Sequence, residues 1–223
     1  MTQSVKSTRV DHAYERLKSD ILTAALPPGF QAPEPDIAVR LGMSRTPVRE
    51  ALIRLESEGL VDLIPRRGAK VLGLGQDDLV EIHEMLAALE AIAAREAAGR
   101  GLSGPAANDL RESLSAMSTA RAGGDMSTWA HLDNTFHRQL VACHANTRLA
   151  RVTSQLLDQL HRGRMVLLRM NKAPERPEAD HETLLAAVLD GDGPLAEDIA
   201  RRHRLDSLDV LTGLLRDCGL TVI

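Results

Sequence analysis

One stretch, residues 41–52, constrains this chain more than any other, because it joins a helix stop directly to a capped, basic helix start. Gly42 supplies the backbone freedom that a tight turn between helices needs, and Ser44 is placed to cap the next helix through its hydroxyl. Pro47 falls in the first turn of that helix, where its missing N–H costs nothing. Because residues 35–41 also predict a short helix, the stretch is typical of a helix-turn-helix.

The second helix of this pair is predicted to be apolar on its inner side and basic on its outer side. Hydroxyl groups and arginines at a helix N-terminus suit phosphate binding, and an arginine can bind O6 and N7 of guanine together in the major groove. A basic helix is also common as a solvated surface, so this helix alone leaves that alternative open. The residues predicted to face outward are Ser44, Arg45, Thr46 and Arg49.

A predicted hairpin follows the basic helix. Residues 56–72 indicate a helix that ends at Gly59, then a strand, a tight turn and a second strand. The turn carries Arg66, Arg67 and Gly68, so two cations lie at a tip where a glycine lets the backbone approach a groove. A hairpin in this position is the wing of a winged helix.

In this order, the turn, the helix and the hairpin resemble the winged helix of GntR-family bacterial regulators. The resemblance implies sequence-specific binding of double-stranded DNA. It also has departures: relatives usually carry a glycine near Ala24 and a basic residue at Pro35 that can contact DNA, so one expected contact is missing here. The candidate DNA-binding residues are Glu34, Ser44, Arg45, Thr46, Arg49, Arg66, Arg67 and Gly68.

Charge and length support two domains of different character. The chain has 223 residues and a net charge of -4, but residues 1–75 hold 11 basic against 9 acidic side chains, and the remainder holds 16 against 22. The basic excess therefore lies with the predicted DNA surface. No apolar run approaches the roughly 20 residues that span a bilayer, and no signal peptide is evident, so we expect a cytoplasmic protein without a membrane partner. Cys143 and Cys218 are predicted to be buried free thiols.

The second half of the chain is predicted to be entirely helical. Residues 73–75 are the expected linker, and Asp78 is the expected N-cap of a capping box that opens a helix reaching Ala98. Five more helices are expected at 105–120, 126–144, 147–170, 175–189 and 195–215. The predicted fold is therefore mainly α: a disordered tail (1–8), a winged helix with linker (9–75) and an antiparallel six-helix bundle (76–223).

Four side chains of this second domain could bind a metal ion. Asp133 and His137 are four residues apart and share a helix face, and His181 and His203 border the apolar faces of two other helices. One carboxylate and three imidazoles suit a borderline divalent ion with an open coordination position. The spacing alone nevertheless favours the alternative that these histidines are ordinary core or surface residues.

The same residues resemble the FCD effector domain of the FadR subfamily of GntR regulators. That resemblance implies that Asp133, His137, His181 and His203 bind a divalent metal ion, zinc above all with nickel or manganese as alternatives, and that an organic acid completes its coordination. Relatives commonly carry an arginine where this chain has Leu86, which allows a less acidic effector. The candidate effector contacts are Glu90, Arg164 and Arg169, although the two arginines also fit solvated surface positions.

Three functions remain open on this basis. The preferred one is a homodimeric, ligand-responsive repressor on a palindromic operator, because one winged helix reads only a half-site. In the second, the metal is itself the sensed signal or is purely structural. The third is a metal-dependent hydrolase. This function has little support, because the sequence contains no H-E-x-x-H motif, nucleophile elbow or phosphate loop, and no catalytic residue can be assigned.

Overall fold

The structure, a computed structural model, describes residues 8–170 and 179–223. The chain forms two compact units, Met1–Gly73 and Leu74–Ile223. The helices are α1 Arg9–Leu22, α2 Glu34–Leu41, α3 Arg45–Ser57, α4 Gln76–Gly99, α5 Gly104–Ala122, α6 Met126–Ala142, α7 Thr147–Arg169, α8 Ala179–Leu189 and α9 Gly193–Asp217. The strands are β1 Gln31–Ala32, β2 Val61–Ile64 and β3 Gly68–Val71.

The first unit packs α1, α2 and α3 against a small antiparallel sheet in the order β1-β3-β2. In the hairpin, Val61 pairs with Val71 and Ile64 with Gly68. The sequence analysis missed β1, because two residues are too short to show an alternating pattern. The inner faces predicted for the three helices are buried, and they include Leu17, Ile21, Ile37, Leu41, Val48, Leu52 and Leu55.

Helix α1 ends earlier than the apolar pattern predicts. The pattern continues to residue 26, but the helix stops at Leu22 because Ala24 adopts a left-handed backbone with φ of 53°. This conformation is costly for a residue with a Cβ, and it lies where the family resemblance leads one to expect a glycine. Ala24 is buried in spite of this backbone conformation.

The second unit is a six-helix bundle whose interior is built mainly of leucine and alanine. Helix α4 runs through its centre and packs along α9, while α5 packs on α6, α6 on α7, and α8 on α9. Helix α4 begins three residues before the predicted capping box: Gly75 is the N-cap, and its N–H donates to Oδ2 of Asp78 at 2.7 Å. The predicted start of the fifth helix, residues 175–178, lies outside the described residues.

The first residue of this unit belongs to its core rather than to an exposed linker. Leu74 N–H donates to the Ile223 carbonyl at 2.6 Å, and Ile223 N–H donates back to the Leu74 carbonyl at 2.9 Å. Both side chains are buried against Gly163 of α7, where an added Cβ would lie 3.1 Å from Ile223 Cδ1. The predicted linker therefore ends at Gly73.

Cys143 and Cys218 are free thiols, as expected, although they are half-buried rather than buried. None of the helices in the described ranges is long and apolar enough to cross a membrane. Residues 1–7 of the predicted tail lie outside the described part, but Thr8 caps α1 by accepting from the Asp11 N–H.

Gly68→Ala should damage the first unit far more than Gly29→Ala. Both glycines have φ above +80°, so each substitution costs about 1–2 kcal/mol of backbone strain. At Gly68 the new Cβ would also lie 2.1 Å from the carbonyl oxygen of Ala32, whereas at Gly29 no described atom comes within 4 Å. Urea unfolding of the two variants tests this, and equal losses would mean that β1 does not pack on the wing as described.

Candidate nucleic-acid surface and metal centre

The N-terminus of α3 is exposed, as its polar face predicted. Ser44 is the N-cap by position, but among the described residues its hydroxyl makes no capping hydrogen bond, which corrects the expected side-chain cap. Ser44, Arg45, Thr46 and Arg49 are all exposed. The first backbone N–H groups of a helix and such hydroxyls together favour an anion.

Glu34 is placed differently from the other candidate DNA contacts. It lies in the first turn of α2, is largely buried, and its Oε1 is 3.6 Å from Nη1 of Arg49. Arg49 remains well exposed. The pair therefore gives Glu34 a means of orienting Arg49, in addition to any contact of its own with a base.

The wing tip is a strained turn that presents two cations. Arg67 N–H donates to the Ile64 carbonyl at 3.0 Å, and Arg66 between them has φ of 65°. Non-glycine residues adopt this region at a cost, and such strain is concentrated at functional sites. Arg66 and Arg67 are exposed, whereas Gly68 is required for its close approach to Ala32.

The four candidate metal ligands converge in the interior of the helical unit. Asp133 and His137 come from α6, His181 from α8 and His203 from α9, and all four are buried. Nε2 of His137 is 3.3 Å from Nε2 of His181 and 3.2 Å from Nε2 of His203, and Asp133 Oδ1 is 3.2 Å from His181 Nε2. Two nitrogens bound to one tetrahedral zinc at ~2.0–2.1 Å would be about 3.3 Å apart.

Protonation in this cluster suits metal binding. Burial lowers the pKa of His137 to about 4, and the charge of Arg204 acts in the same direction. Burial also lowers the pKa of His203 well below its ordinary value. Burial alone would raise the pKa of Asp133, but the Arg164 guanidinium holds it well below its ordinary value. Neutral imidazoles and an ionised carboxylate are the forms that bind metals.

Glu90 supports this cluster from behind. Its Oε2 is 3.0 Å from Nδ1 of His137, although the angle of this contact does not make it a hydrogen bond. A carboxylate at this distance favours the tautomer with the proton on Nδ1, which leaves the lone pair on Nε2. That single lone pair cannot accept hydrogen bonds from both His181 and His203, whose Nε2 atoms both face it. A shared cation would satisfy all three imidazoles.

Arg204 of α9 is buried in this interior, a position that helical periodicity alone does not predict for an arginine. It is 1% exposed, its Nε donates to Glu90 Oε2 at 2.8 Å, and its Nη2 donates to Glu90 Oε1 at 2.5 Å. The charge of Arg204 and the neighbouring His137 hold the pKa of Glu90 well below its ordinary value, although burial opposes them. Glu90 is thus fully engaged inside the protein, which argues against the predicted contact with an effector.

The two candidate arginines of α7 lie in different places. Arg164 is buried and its Nη1 donates to Asp133 Oδ2, so the solvated-surface alternative is wrong for this residue. Its Nε is buried and has no hydrogen-bond partner among the described residues. Arg169 is exposed near the end of the helix. Leu86, where relatives carry an arginine, is packed in the apolar core.

Three further polar side chains in this interior were missed by the sequence analysis. They are buried, and each has a ring nitrogen without a hydrogen-bond partner in the described part of the chain: His83 Nε2, Trp129 Nε1 and His161 Nδ1. Helical spacing could have found them. His83 precedes Glu90 by seven residues, Trp129 precedes Asp133 by four, and His161 precedes Arg164 by three.

Arg204→Leu should strongly destabilise the helical unit, whereas Arg202→Leu on the same helix should not. The first change leaves the buried charge of Glu90 uncompensated, which costs about 3–5 kcal/mol, and the second removes only an exposed pair with Asp198. The double variant Glu90→Leu/Arg204→Leu should recover much of the loss. Chemical unfolding measures all three, and equal effects of the two single variants would contradict the pairing.

Comparison with known proteins agrees with this architecture. The family profile described as "Bacterial regulatory proteins, gntR family" matches residues 9–71, and the profile described as "FCD domain" matches residues 81–206. The fold is similar to that of E. coli McbR/YncC, with a TM-score of 0.81 and 25% sequence identity, over 93% of this chain and 98% of that one.

Two relatives extend the comparison. The chain is 42% identical over 141 residues to an HTH-type transcriptional regulator in the TAR-I ttuE-ttuC' intergenic region of Agrobacterium vitis, covering 61% of this chain and 81% of that protein. It is 32% identical over 201 residues to a probable D-xylose utilization operon transcriptional repressor of Paenarthrobacter nicotinovorans, covering 89% and 86%. These proteins are regulators rather than enzymes. The chain therefore belongs to the GntR family of DNA-binding transcriptional regulators and carries an FCD domain.

Proposed function

We propose that this regulator represses transcription by binding a palindromic operator. A small organic acid, bound at a divalent metal ion in the helical unit, would release the protein from the operator. The observation that carries the proposal is the convergence of one ring nitrogen from each of three histidines and one carboxylate oxygen, all within 4.8 Å of one another. The proposed ligands are Asp133, His137, His181 and His203.

The chemistry of this ligand set favours zinc. Three imidazoles and one carboxylate form a borderline set, with nickel or manganese as the alternatives. The N–N separations of 3.2 and 3.3 Å match tetrahedral zinc better than the shorter edges of an octahedral ion. When bound, the ion would supply a Lewis-acid centre, and it would have to expand from four to five ligands to take an anionic group of the effector. Glu90 would keep His137 in the tautomer that binds the ion.

Arg164 supports a carboxylate as the anionic group. Its guanidinium is buried beside Asp133, and its Nε–H is available among the described residues. A carboxylate at the ion would therefore gain a charge-assisted hydrogen bond from the same arginine that holds a metal ligand. Arg169 is exposed, which makes it a weaker candidate for this role.

The DNA-binding surface of the proposal consists of the α3 N-terminus and the wing. Arg45 and Arg49 would contact base edges, with Glu34 orienting Arg49, while Ser44 and Thr46 would bind phosphates. The wing cations, Arg66 and Arg67, would add affinity along the backbone. Two such surfaces in a homodimer would read the two halves of a palindrome.

A metal that is sensed or purely structural is the second candidate, because the closed arrangement of four buried ligands also fits it. Operator affinity measured with and without Zn²⁺, and then with acetate added to the zinc-loaded protein, separates the possibilities. The acid-responsive function requires a change on adding the acid. A change with zinc alone would favour metal sensing, and no change with either would leave a structural metal.

His137→Ala should lower the zinc content of the purified protein and weaken zinc affinity at least about 10-fold, because it removes a central ligand. His144→Ala is the matched control, since His144 pairs with Glu96 away from the cluster. Elemental analysis and chelator competition measure both variants. The His137 variant should still bind operator DNA. An unchanged zinc content in this variant would mean that these histidines are ordinary core residues.

Arg45→Ala and Arg49→Ala should each abolish enrichment of a palindromic site from a random duplex library, because each base contact contributes about 1–3 kcal/mol. Circular dichroism and zinc content should not change, since both side chains are exposed. Arg100→Ala, which removes a surface cation of the helical unit, is the control. It should enrich the same DNA site that the wild-type protein enriches. Recovery of that site with either α3 variant would contradict the proposed recognition helix.

A further inference from the structure

His83 is a buried histidine of α4 with one ring nitrogen used and one unused. Its side chain is 0% exposed, and its Nδ1 is 2.7 Å from the carbonyl oxygen of Leu79. Because a carbonyl only accepts, Nδ1 must carry the proton and Nε2 must carry a lone pair. Nothing in the described ranges hydrogen-bonds to Nε2.

The charge state of His83 is set by its surroundings. Burial lowers the pKa of His83 to about 4, and the positive charges of Arg204 and Arg164 act in the same direction. The ring is therefore neutral at ordinary pH, and Nε2 is an acceptor rather than a donor. A buried acceptor in a folded protein is nearly always satisfied, so a donor is expected at this position.

The position of His83 relates it to the proposed effector centre. It lies on the same inner face of α4 as Glu90, seven residues earlier, which is about 10 Å along the helix axis. Glu90 contacts His137, and the arginines that act on His83 are the partners of Glu90 and of Asp133. His83 therefore lies in the same interior, displaced from the metal ligands along α4.

Among the described residues, no donor of this interior hydrogen-bonds to His83 Nε2. Arg204 of α9 is directed to Glu90, and Arg164 of α7 is directed to Asp133. Trp129 of α6 has a buried N–H, but its ring packs with Arg164, whose Cζ is 5.6 Å from the ring. Within the described residues, the interior thus offers donors at Arg164 Nε and Trp129 Nε1, an acceptor at His83 Nε2, and His161 Nδ1, whose role depends on its tautomer.

We propose that His83 is a specificity residue that accepts a hydrogen bond from a hydroxyl at the far end of the effector. The inference rests on the proposed function: the carboxylate lies at the metal and Arg164, and the chain of the acid runs along α4 towards His83. A hydroxyl on the carbon next to the carboxylate would lie at the metal, so the hydroxyl that His83 reads is several carbons away. The effector class is therefore an acid with a distal hydroxyl.

The test uses zinc-loaded full-length protein and three pairs of acids that differ by one hydroxyl. The pairs are glycolate with acetate, 4-hydroxybutyrate with butyrate, and 6-hydroxyhexanoate with hexanoate, and calorimetry gives each affinity. In the wild type, the preference for the hydroxy acid should rise with chain length and reach about 10-fold for the longest pair. Any preference for glycolate would reflect chelation of the ion and should not depend on His83.

His83→Phe keeps the ring but removes the acceptor, so it should abolish the preference in the longest pair while hexanoate still binds. His83→Gln offers an amide oxygen as a substitute acceptor and should retain part of the preference, which guards against a folding defect of the first variant. His144→Phe is the control and should behave as wild type. Zinc content and thermal unfolding are measured for each variant.

Two results would overturn the proposal: no length-dependent preference in the wild type, which would mean that ordered water satisfies His83 Nε2, or an unchanged preference in His83→Phe. If the acids bind without such a preference, the proposed role of His83 is wrong, but the acid-responsive function is still supported. If none of the six acids binds to protein that holds stoichiometric zinc, the proposed acid effector falls and the role of His83 falls with it.

Discussion

The interior of the helical unit depends on the carboxylate of Glu90, which is buried between Arg204 and His137. An ion pair this deep in a protein is tolerated only if each charge is fully compensated. Glu90 comes from α4 and Arg204 from α9, the two helices that pack most extensively in this unit. The ion pair that joins α4 to α9 therefore also fixes the carboxylate that contacts His137.

A second pair of opposite charges lies at the cluster. Arg164 of α7 holds Asp133 of α6, much as Arg204 holds Glu90. The ionised carboxylates lie next to His137 and His203, whose pKa values burial lowers so that both imidazoles are neutral. Neutral imidazoles beside ionised carboxylates are ligands for a cation, so this arrangement favours a cation between the helices over a hydrogen-bonded histidine core.

The same helix that carries Arg164 also meets the beginning of the unit. Its neighbour Gly163 packs against Leu74 and Ile223, which are joined by two backbone hydrogen bonds. A residue with a side chain at position 163 would push against both. The first residue of the helical unit is thus held in place by the helix whose Arg164 pairs with Asp133, whereas the exposed arginines of α3 lie in a separate compact unit.

The sequence by itself predicted the class of both units and the outward residues of α3, because helical periodicity assigns each residue to a face. The four residues that converge in the interior were predicted as a set only through the resemblance to the FCD domain, since their spacing alone favoured ordinary core or surface histidines. The sequence did not place Arg204 or Arg164 inside, since periodicity alone treats an arginine as a surface residue. Only the tertiary structure decided this, because Glu90 lies 114 residues from Arg204 in the chain. The roles of Glu90 and His83 likewise depend on which partners other helices bring to them, and a local pattern does not contain that information.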